Sequence, residues 1–445
     1  MNGQAAAGRI AAIPAQHETE TGVDTPQPIA SIAAEKYIQV DRDDIVERAL
    51  EKLFEPQQRE LAEQVVRYMC ALRQWETARS LDAVVAAYDA FNPDDETINL
   101  TALSASERRA KLETLKAQVI DLVVSANYIE VDPATLQKLL DEETPAGFSA
   151  EVDLEEYDFH LLYYRGAIKD RISVTSWKTL WLFERPVEAD AYRRLFLGLK
   201  LKPIEARIEE QVARGMTRKK AEKKVRRARS QQMLEGVSED TLHLKIFRRI
   251  PRSELEILFP NAKIKFNLFD RLWLWIGSGG STVFAIVTAG LKFVAAFAIS
   301  IFFVVFTVAG AIGAIIRTVT SFFNTRTRYM AKLAKSLYFH NIASNQSVLD
   351  TLADDAEEED IKEAVLTYAL LLRYGHRGLE EVKLEAEKFL QDEFHVLCDF
   401  DVEDGCVHLR KLGLLVVDEA GAPRIRDLED AREHLLHQWQ LAPDS

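Results

Sequence analysis

Apolar residues recur along the chain with three different rhythms. In DRDDIVERALEKLF, Ile45, Ala49 and Leu53 return every fourth residue, which puts them on one helical face behind acids that suit the helix dipole. ELAEQVVRYMCALRQWETA continues through Leu61, Val65, Tyr68 and Leu72, and Asn99 to Val124 predicts a further helix ending near ANYIEV. The rhythm then changes. VDLEEYDFHLLYYRG, LWLFERPVEADAYRRLFLGLKLK and LHLKIFRRIPRSELEILFPNAKIKF read as extended pieces bounded by Gly and Pro, with a short helix at SELEILFP capped by Ser253. At least three strands, and so a small α+β unit, are expected there.

The third pattern is an almost unbroken apolar run from Leu272 to Ile316, interrupted by Lys292 alone. Its 45 residues would make a straight helix of about 67 Å, twice the thickness of a bilayer core. Two spans, about 272–290 and 293–316, fit instead, with Gly290 and Lys292 at the hairpin tip. Basic residues flank both ends (Lys263, Lys265 and Arg271; Arg317, Arg326, Arg328, Lys332 and Lys335), so both termini are expected on the cytoplasmic side. Trp273 and Trp275 suit an interfacial belt, and Ser281, Ala285 and Ala289 with Ala309 and Gly313 supply small residues at helical spacing for close packing.

Beyond the run, helices are expected over Glu359–Arg373, Leu379–Asp392 and Val402–Leu412, then a hairpin in LLVVDEAGAPRIRDL and a last helix to Trp439. Three helices and a hairpin make a winged-helix arrangement. Its third helix opens DVEDG, acids that phosphates would repel, so a protein partner is favoured over nucleic acid.

The net charge of −14 points the same way, and three scattered cysteines (Cys70, Cys398 and Cys406) suggest reduced thiols rather than a disulfide framework. The first 36 residues, poor in apolar positions, lack a signal-peptide core and read as a disordered tail. Against the acidic background, one basic helix stands out over 203–235. Arg218, Lys219, Lys220, Lys223, Lys224, Arg226, Arg227 and Arg229 are candidates for lipid headgroups, weighed against a plain solvated face.

Candidate chemistry is sparse. GSGG at Gly277–Gly280 has no Lys-Ser or Lys-Thr after it and is not a phosphate loop. His395, Cys398, Cys406 and His408 have zinc-ligand chemistry at a spacing that matches no standard finger; small core cysteines are the plainer reading. Asp354, Asp355, Glu357, Glu358, Glu359 and Asp360 sit where a helix is expected to begin, so the dipole explains them. Tyr163, Tyr164 and Arg165 line a pocket or, more simply, pack in the core. No catalytic motif appears, and neither cofactor nor metal is assigned.

Several of these stretches together resemble a known family. LHLKIFRRIPRSELEILFPNAKIKFNLFDRLWL, the glycine-bearing hairpin, SLYFHNIASNQSVLDTLADDAEEEDIKEAVLTYALLL and AYRRLFLGLKLKP, on into the winged-helix-like end, resemble the transmembrane protein 143 family, also catalogued as domain-of-unknown-function family 3754. The likeness covers about three quarters of the chain, with Arg218 to Arg229 as an insertion. It implies a two-span membrane protein, with mitochondrial animal members and many bacterial ones, and carries over no activity and no catalytic residue.

The fold class expected is therefore α+β, mostly helical, with a two-helix transmembrane hairpin and a C-terminal winged-helix-like module. The divisions are a tail (1–36), a helical domain (37–126), an α+β membrane-proximal domain (127–268), the hairpin (269–317), a connector (318–358) and the winged-helix-like domain (359–445). The expected function is a non-enzymatic membrane anchor, scaffold or regulator whose C-terminal module binds a protein. The alternatives are a homo-oligomeric pore lined by Ser281, Thr282, Thr288 and Ser300, and a membrane-bound hydrolase. An Ala-, Arg-, Glu- and Asp-rich composition favours a bacterial plasma membrane, with the mitochondrial inner membrane as the eukaryotic alternative.

Overall fold

The computed structural model describes residues 34–94, 104–141, 149–175, 184–232, 238–265, 338–375, 378–417 and 423–442. Strand β1 is Ile129–Glu130 and β2 is Ser149–Glu151, followed by the long strands β3 (Tyr157–Thr175) and β4 (Glu184–Leu201). β5 (Leu242–Pro251), β6 (Lys263–Lys265) and β7 (Asn341–Ser344) follow, and the main sheet is antiparallel in the order β1-β3-β4-β5-β7. β2 pairs with β6 alone.

Side chains alternate across a strand, and here both faces of the sheet are covered. Leu161, Tyr163, Phe196, Leu244 and Ile246 face one apolar cluster; Leu162, Leu195, Leu197 and Phe247 face another. That is why RRLFLGLKL reads as a nearly continuous apolar strand and not as a clean apolar–polar alternation. A Cβ at Gly198 would come into van der Waals contact with Leu161 and Leu244 at 3.4 Å, so the strand passes close to its neighbours on both sides.

Helix α1 is Arg42–Leu53, α2 Arg59–Tyr88, α3 Ala105–Ser125 and α4 Pro133–Asp141. α3 starts with a reciprocal capping box between Ser104 and Glu107. α5 (Ile204–Ala213) and α6 (Arg218–Gln232) are separated at Gly215, whose φ of +91° a side chain would resist. The C-terminal helices are α7 (Gln346–Tyr374), α8 (Leu379–Phe394), α9 (Val402–Lys411) and α10 (Leu428–Leu441), with the small hairpin β8 (Leu415–Val417) and β9 (Pro423–Ile425) before the last.

Besides the cluster on the far face of the sheet, two cores result that share two long helices. The end of α2, α3 and the start of α7 cover one sheet face through Tyr88, Leu115, Val119, Val348, Leu349 and Leu352. The start of α2 and the end of α7 join α1, α8, α9 and α10 in a helical bundle around Val65, Met69, Leu366, Leu390, Leu409 and Leu435. α2 and α7, of 30 and 29 residues, are each about 45 Å long, so each reaches from one core to the other.

Four expectations are corrected. The hairpin over 272–290 and 293–316, with its tip at Gly290 and Lys292 and the residues Ser281, Thr282, Thr288 and Ser300, lies outside the described residues. Among the described residues no helix is long and apolar enough to cross a membrane. α2 and α7 have the length but carry charges throughout, so they satisfy one requirement and fail the other. On that finding the integral-membrane fold, function and localisation are set aside, and with them the anchor, the pore and the membrane-bound hydrolase.

The border expected at residue 359 falls in the middle of α7, and α1 and α2 share the C-terminal helices' core. Ser253 does not cap a regular helix: the segment is a kinked 3-10 turn, and the Ser253 hydroxyl is buried without a hydrogen-bond partner among the described residues. Finally Glu35, placed by composition in the tail, is buried and bridges to Cys398, with Asp399 N donating to Glu35 O at 2.9 Å.

Candidate functional site

The middle of α7 passes from one core to the other, and there its charged residues are enclosed. Asp355, Glu359 and Glu363 recur every fourth residue and so share a helical face, with Lys362 beside them. Glu359 is fully buried, while Lys362 and Glu363 are 1% exposed. The acidic cluster therefore lies inside the protein and not at a solvated helix start. α7 begins nine residues before Asp355, too far for its N-terminal dipole to be the cause.

Buried carboxylates need partners, and the sheet supplies them. Arg165 on β3 stands opposite Arg194 on β4. Arg165 Nη2 donates to Glu359 Oε1 at 2.8 Å, its Nη1 lies 3.2 Å from Asp355 Oδ2, and Arg194 Nη1 also pairs with Asp355. The Tyr128 hydroxyl donates to Asp355 from the turn after α3 at 3.3 Å. Arg165 further lies over the Tyr37 ring, 4.3 Å from its centroid.

Residues 37–41 close the site from above. Ile38 N donates to Glu359 Oε2 at 2.9 Å, and Lys362 Nζ donates to the Ile38 and Val40 carbonyls at 2.9 and 3.0 Å. Arg193 Nη2 donates to Gln39 Oε1 at 3.2 Å. Beneath this segment is a cavity of about 260 Å³ whose lining includes Tyr37, Arg165, Arg193, Arg194, Asp355 and Lys362.

Four cationic side chains and three acids line it, and one of the acids, Asp41, caps α1 by accepting from Asp43 N. Asp355 is shared by two arginines, and Glu358, also on the wall, is taken by Lys362 at 3.0 Å. Yet the buried Tyr37 hydroxyl and Arg165 Nε have no hydrogen-bond partner among the described residues. Burial pushes the Tyr37 hydroxyl up to about 12, and burial with the nearby Asp355 does the same to Tyr128, so both keep their protons.

A second group lies farther along α7, where α9 packs on it. Gly405 permits the close approach: a Cβ there would stand 2.3 Å from Thr367 Oγ1. His408 Nε2 comes to 2.9 Å from Asp360 Oδ1 and 3.7 Å from Asp404 Oδ1, and Arg73 of α2 pairs with Asp360 at 2.5 Å. Burial opposes a charge on His408, but Asp360 and Asp404 prevail and raise the imidazole to about 9. Glu363 lies near this group with Asn127 Nδ2 donating to it at 3.3 Å. Burial, reinforced by Glu359, Asp404 and Asp360, holds its carboxyl well above the usual range.

Of the residues singled out by sequence, Arg165 lines the cavity, whereas Tyr163 packs against Phe196 and Tyr164 stacks on Tyr192. The suggested zinc ligands are not brought together as one set. Cys398 and Cys406 are in the bundle core, His395 is an exposed helix end in the left-handed region, and His408 alone joins a group of possible ligands, with Asp360 and Asp404. On the basic helix, Arg218, Lys219, Lys220, Lys223, Lys224, Arg226 and Arg227 are exposed. Arg229 is buried, 3.4 Å from Glu156, and donates to the Lys202 carbonyl. Tyr37, Arg193, Arg194, Lys362 and Asp404 were not singled out. The fourfold spacing of acids and the Arg193–Arg194 pair were the available signals.

Residues 161–347 match the model of a family described as a protein of unknown function, DUF3754. Over those residues, fewer than half of the chain, the protein is similar to DUF3754. The DUF3754 match begins on β3 and ends in the first turn of α7, narrower than the likeness read from the sequence, and the finer transmembrane protein 143 name is not part of it. Arg165, Arg193 and Arg194 fall inside the DUF3754 segment; Tyr37, Asp355, Glu359 and Lys362 fall outside it. No solved structure matches the chain.

Proposed function

We propose that this protein binds a compact anionic small molecule, bearing phosphate or carboxylate groups, in the cavity beneath residues 37–41. One observation carries the reading: four cationic side chains and two buried donors without acceptors among the described residues, Tyr37 Oη and Arg165 Nε, meet at one cavity whose acids are already engaged. An acceptor-rich ligand supplies what these donors lack, and guanidinium groups suit the planar geometry of carboxylate or phosphate oxygens. The volume of about 260 Å³ suits a small metabolite and is too small for a folded domain.

The ligand would touch residues 37–41, the sheet and α7 together, so its role is to brace the N-terminal segment against the family domain in a ligand-dependent way. Thermal unfolding of the full chain with inorganic phosphate, pyrophosphate and citrate tests this. A ligand at a hundredfold excess over its dissociation constant adds about 2.7 kcal/mol of stability. Arg193→Gln and Tyr37→Phe should reduce the gain. Unchanged melting with all three anions, or an equal gain in both variants, would refute the proposal.

A further inference from the structure

The contact between α7 and α9 carries chemistry that anion binding does not use. His408 and Asp404 are one helical turn apart on α9 and so project on one side, and Asp360 meets them from α7. The Asp360, Asp404 and His408 ligand atoms lie within 4.8 Å of one another.

We infer that Asp360, Asp404 and His408 form a binding site for a zinc-class divalent metal ion. Ligand atoms about 2.0–2.1 Å from a tetrahedral ion stand about 3.4 Å apart. The separations from His408 Nε2, 2.9 Å to Asp360 Oδ1 and 3.7 Å to Asp404 Oδ1, bracket that edge. Asp404 is half-buried and can swing to complete the triangle, while Asp360 is enclosed and fixed.

A second feature points to a ligand. His408 is 8% exposed, and its Nε2, although close to both carboxylates, is aligned for a hydrogen bond with no group among the described residues. A nitrogen near two carboxylate oxygens but off the hydrogen-bond direction is disposed for a shared ion. Beside it is a void of about 20 Å³, lined by Arg73, Glu76, Asp360, His408 and Lys411 among others, with space for one water as a fourth ligand. Arg73 holds the far oxygen of Asp360 and leaves Oδ1 toward the imidazole, the kind of outer contact that orients ligating carboxylates.

One imidazole and two carboxylates select a transition metal, Zn²⁺, Mn²⁺ or Fe²⁺, over Ca²⁺ or Mg²⁺. The pair of acids that retains a proton on His408 offers the same seat to a divalent cation, so proton and metal compete for it.

The test is equilibrium dialysis of the full chain, stripped with chelator, against Zn²⁺ and Co²⁺ separately at neutral pH. One equivalent should be retained, and the Co²⁺ form should show visible d–d bands. His408→Gln, and Asp404→Asn as the milder change at a half-exposed position, should each weaken binding about ten-fold or more. Circular dichroism checks that both variants remain folded. Failure of the wild-type chain to retain metal would leave an imidazolium–carboxylate pair only and overturn the site. Equal retention by both folded variants would place the metal elsewhere and overturn it too. Neither result bears on anion binding in the larger cavity.

Discussion

Lys362 Nζ lies 2.7 Å from Glu359 Oε1, and the two side chains are 2% and 1% exposed. The same ammonium donates to the Ile38 and Val40 carbonyls, and the same carboxylate accepts from Ile38 N and Arg165. This one pair joins the N-terminal segment, the central helix and the sheet.

Replacing Lys362 by Met leaves Glu359 short of a cation in a dry setting and leaves two carbonyls without a donor. Removing one partner of a buried pair costs about 3–5 kcal/mol. Urea unfolding of Lys362→Met should show a loss of that order. A loss below about 1 kcal/mol, the range of an exposed pair, would contradict this account.

Gly405 is required by space, since its backbone is not in the left-handed region. A Cβ would meet Thr367 Oγ1 at 2.3 Å and the Glu363 carbonyl oxygen at 3.0 Å, and the carbonyl cannot rotate away. Gly405→Ala should destabilise by about 1–3 kcal/mol. Adding Thr367→Ala should recover part of the loss and not all, because the backbone contact persists. Melting temperatures of the single and double variants decide it.

Glu363 gives a dependence on pH. Its carboxyl is raised in the fold, so the folded chain holds a proton that the unfolded chain releases. Its contribution is fully present below the ordinary Glu value and is lost as pH rises toward the elevated folded value. The slope over that window is about 1.4 kcal/mol per pH unit. Glu363→Gln, neutral throughout, should therefore match wild type near pH 4 and become progressively more stable than wild type as pH rises. Denaturant midpoints across pH 4–8 would show the divergence, and parallel profiles would contradict it.

Arg207 on α5 is 3% exposed and makes four ion pairs, with Asp153 at 2.8 Å, Glu155 and Glu210 at 2.9 Å, and Glu156 at 3.1 Å. Its five donors meet carboxylates from both sides, which an ammonium cannot reproduce. Arg207→Lys should cost about 1–3 kcal/mol, and Arg207→Met more. Unfolding measured at low and high salt checks the order of the two.

Helical spacing was readable in the chain itself. The fourfold return of Ile45 and Ala49 marks α1, and the Leu61-to-Leu72 pattern marks the first half of α2, because a helix with one buried face must repeat near 3.6 residues. Sheet-forming stretches were readable from their apolar density and their Gly and Pro borders. The DUF3754 relationship, too, was carried by residues in sequence.

Depth was not readable. Asp355 and Glu359 look like part of a solvated acidic turn until Arg165 and Arg194 arrive from strands about 160 to 200 residues earlier. The length of the apolar run suggested a membrane, whereas the described architecture is organised by two helices that cross between cores. The meeting of Asp360 with His408 likewise depends on Gly405 letting α9 lie against α7. Local periodicity comes from neighbouring residues and is written along the chain. Which charges are buried, and beside what, is set by contacts distant in sequence, so only the folded chain decides it.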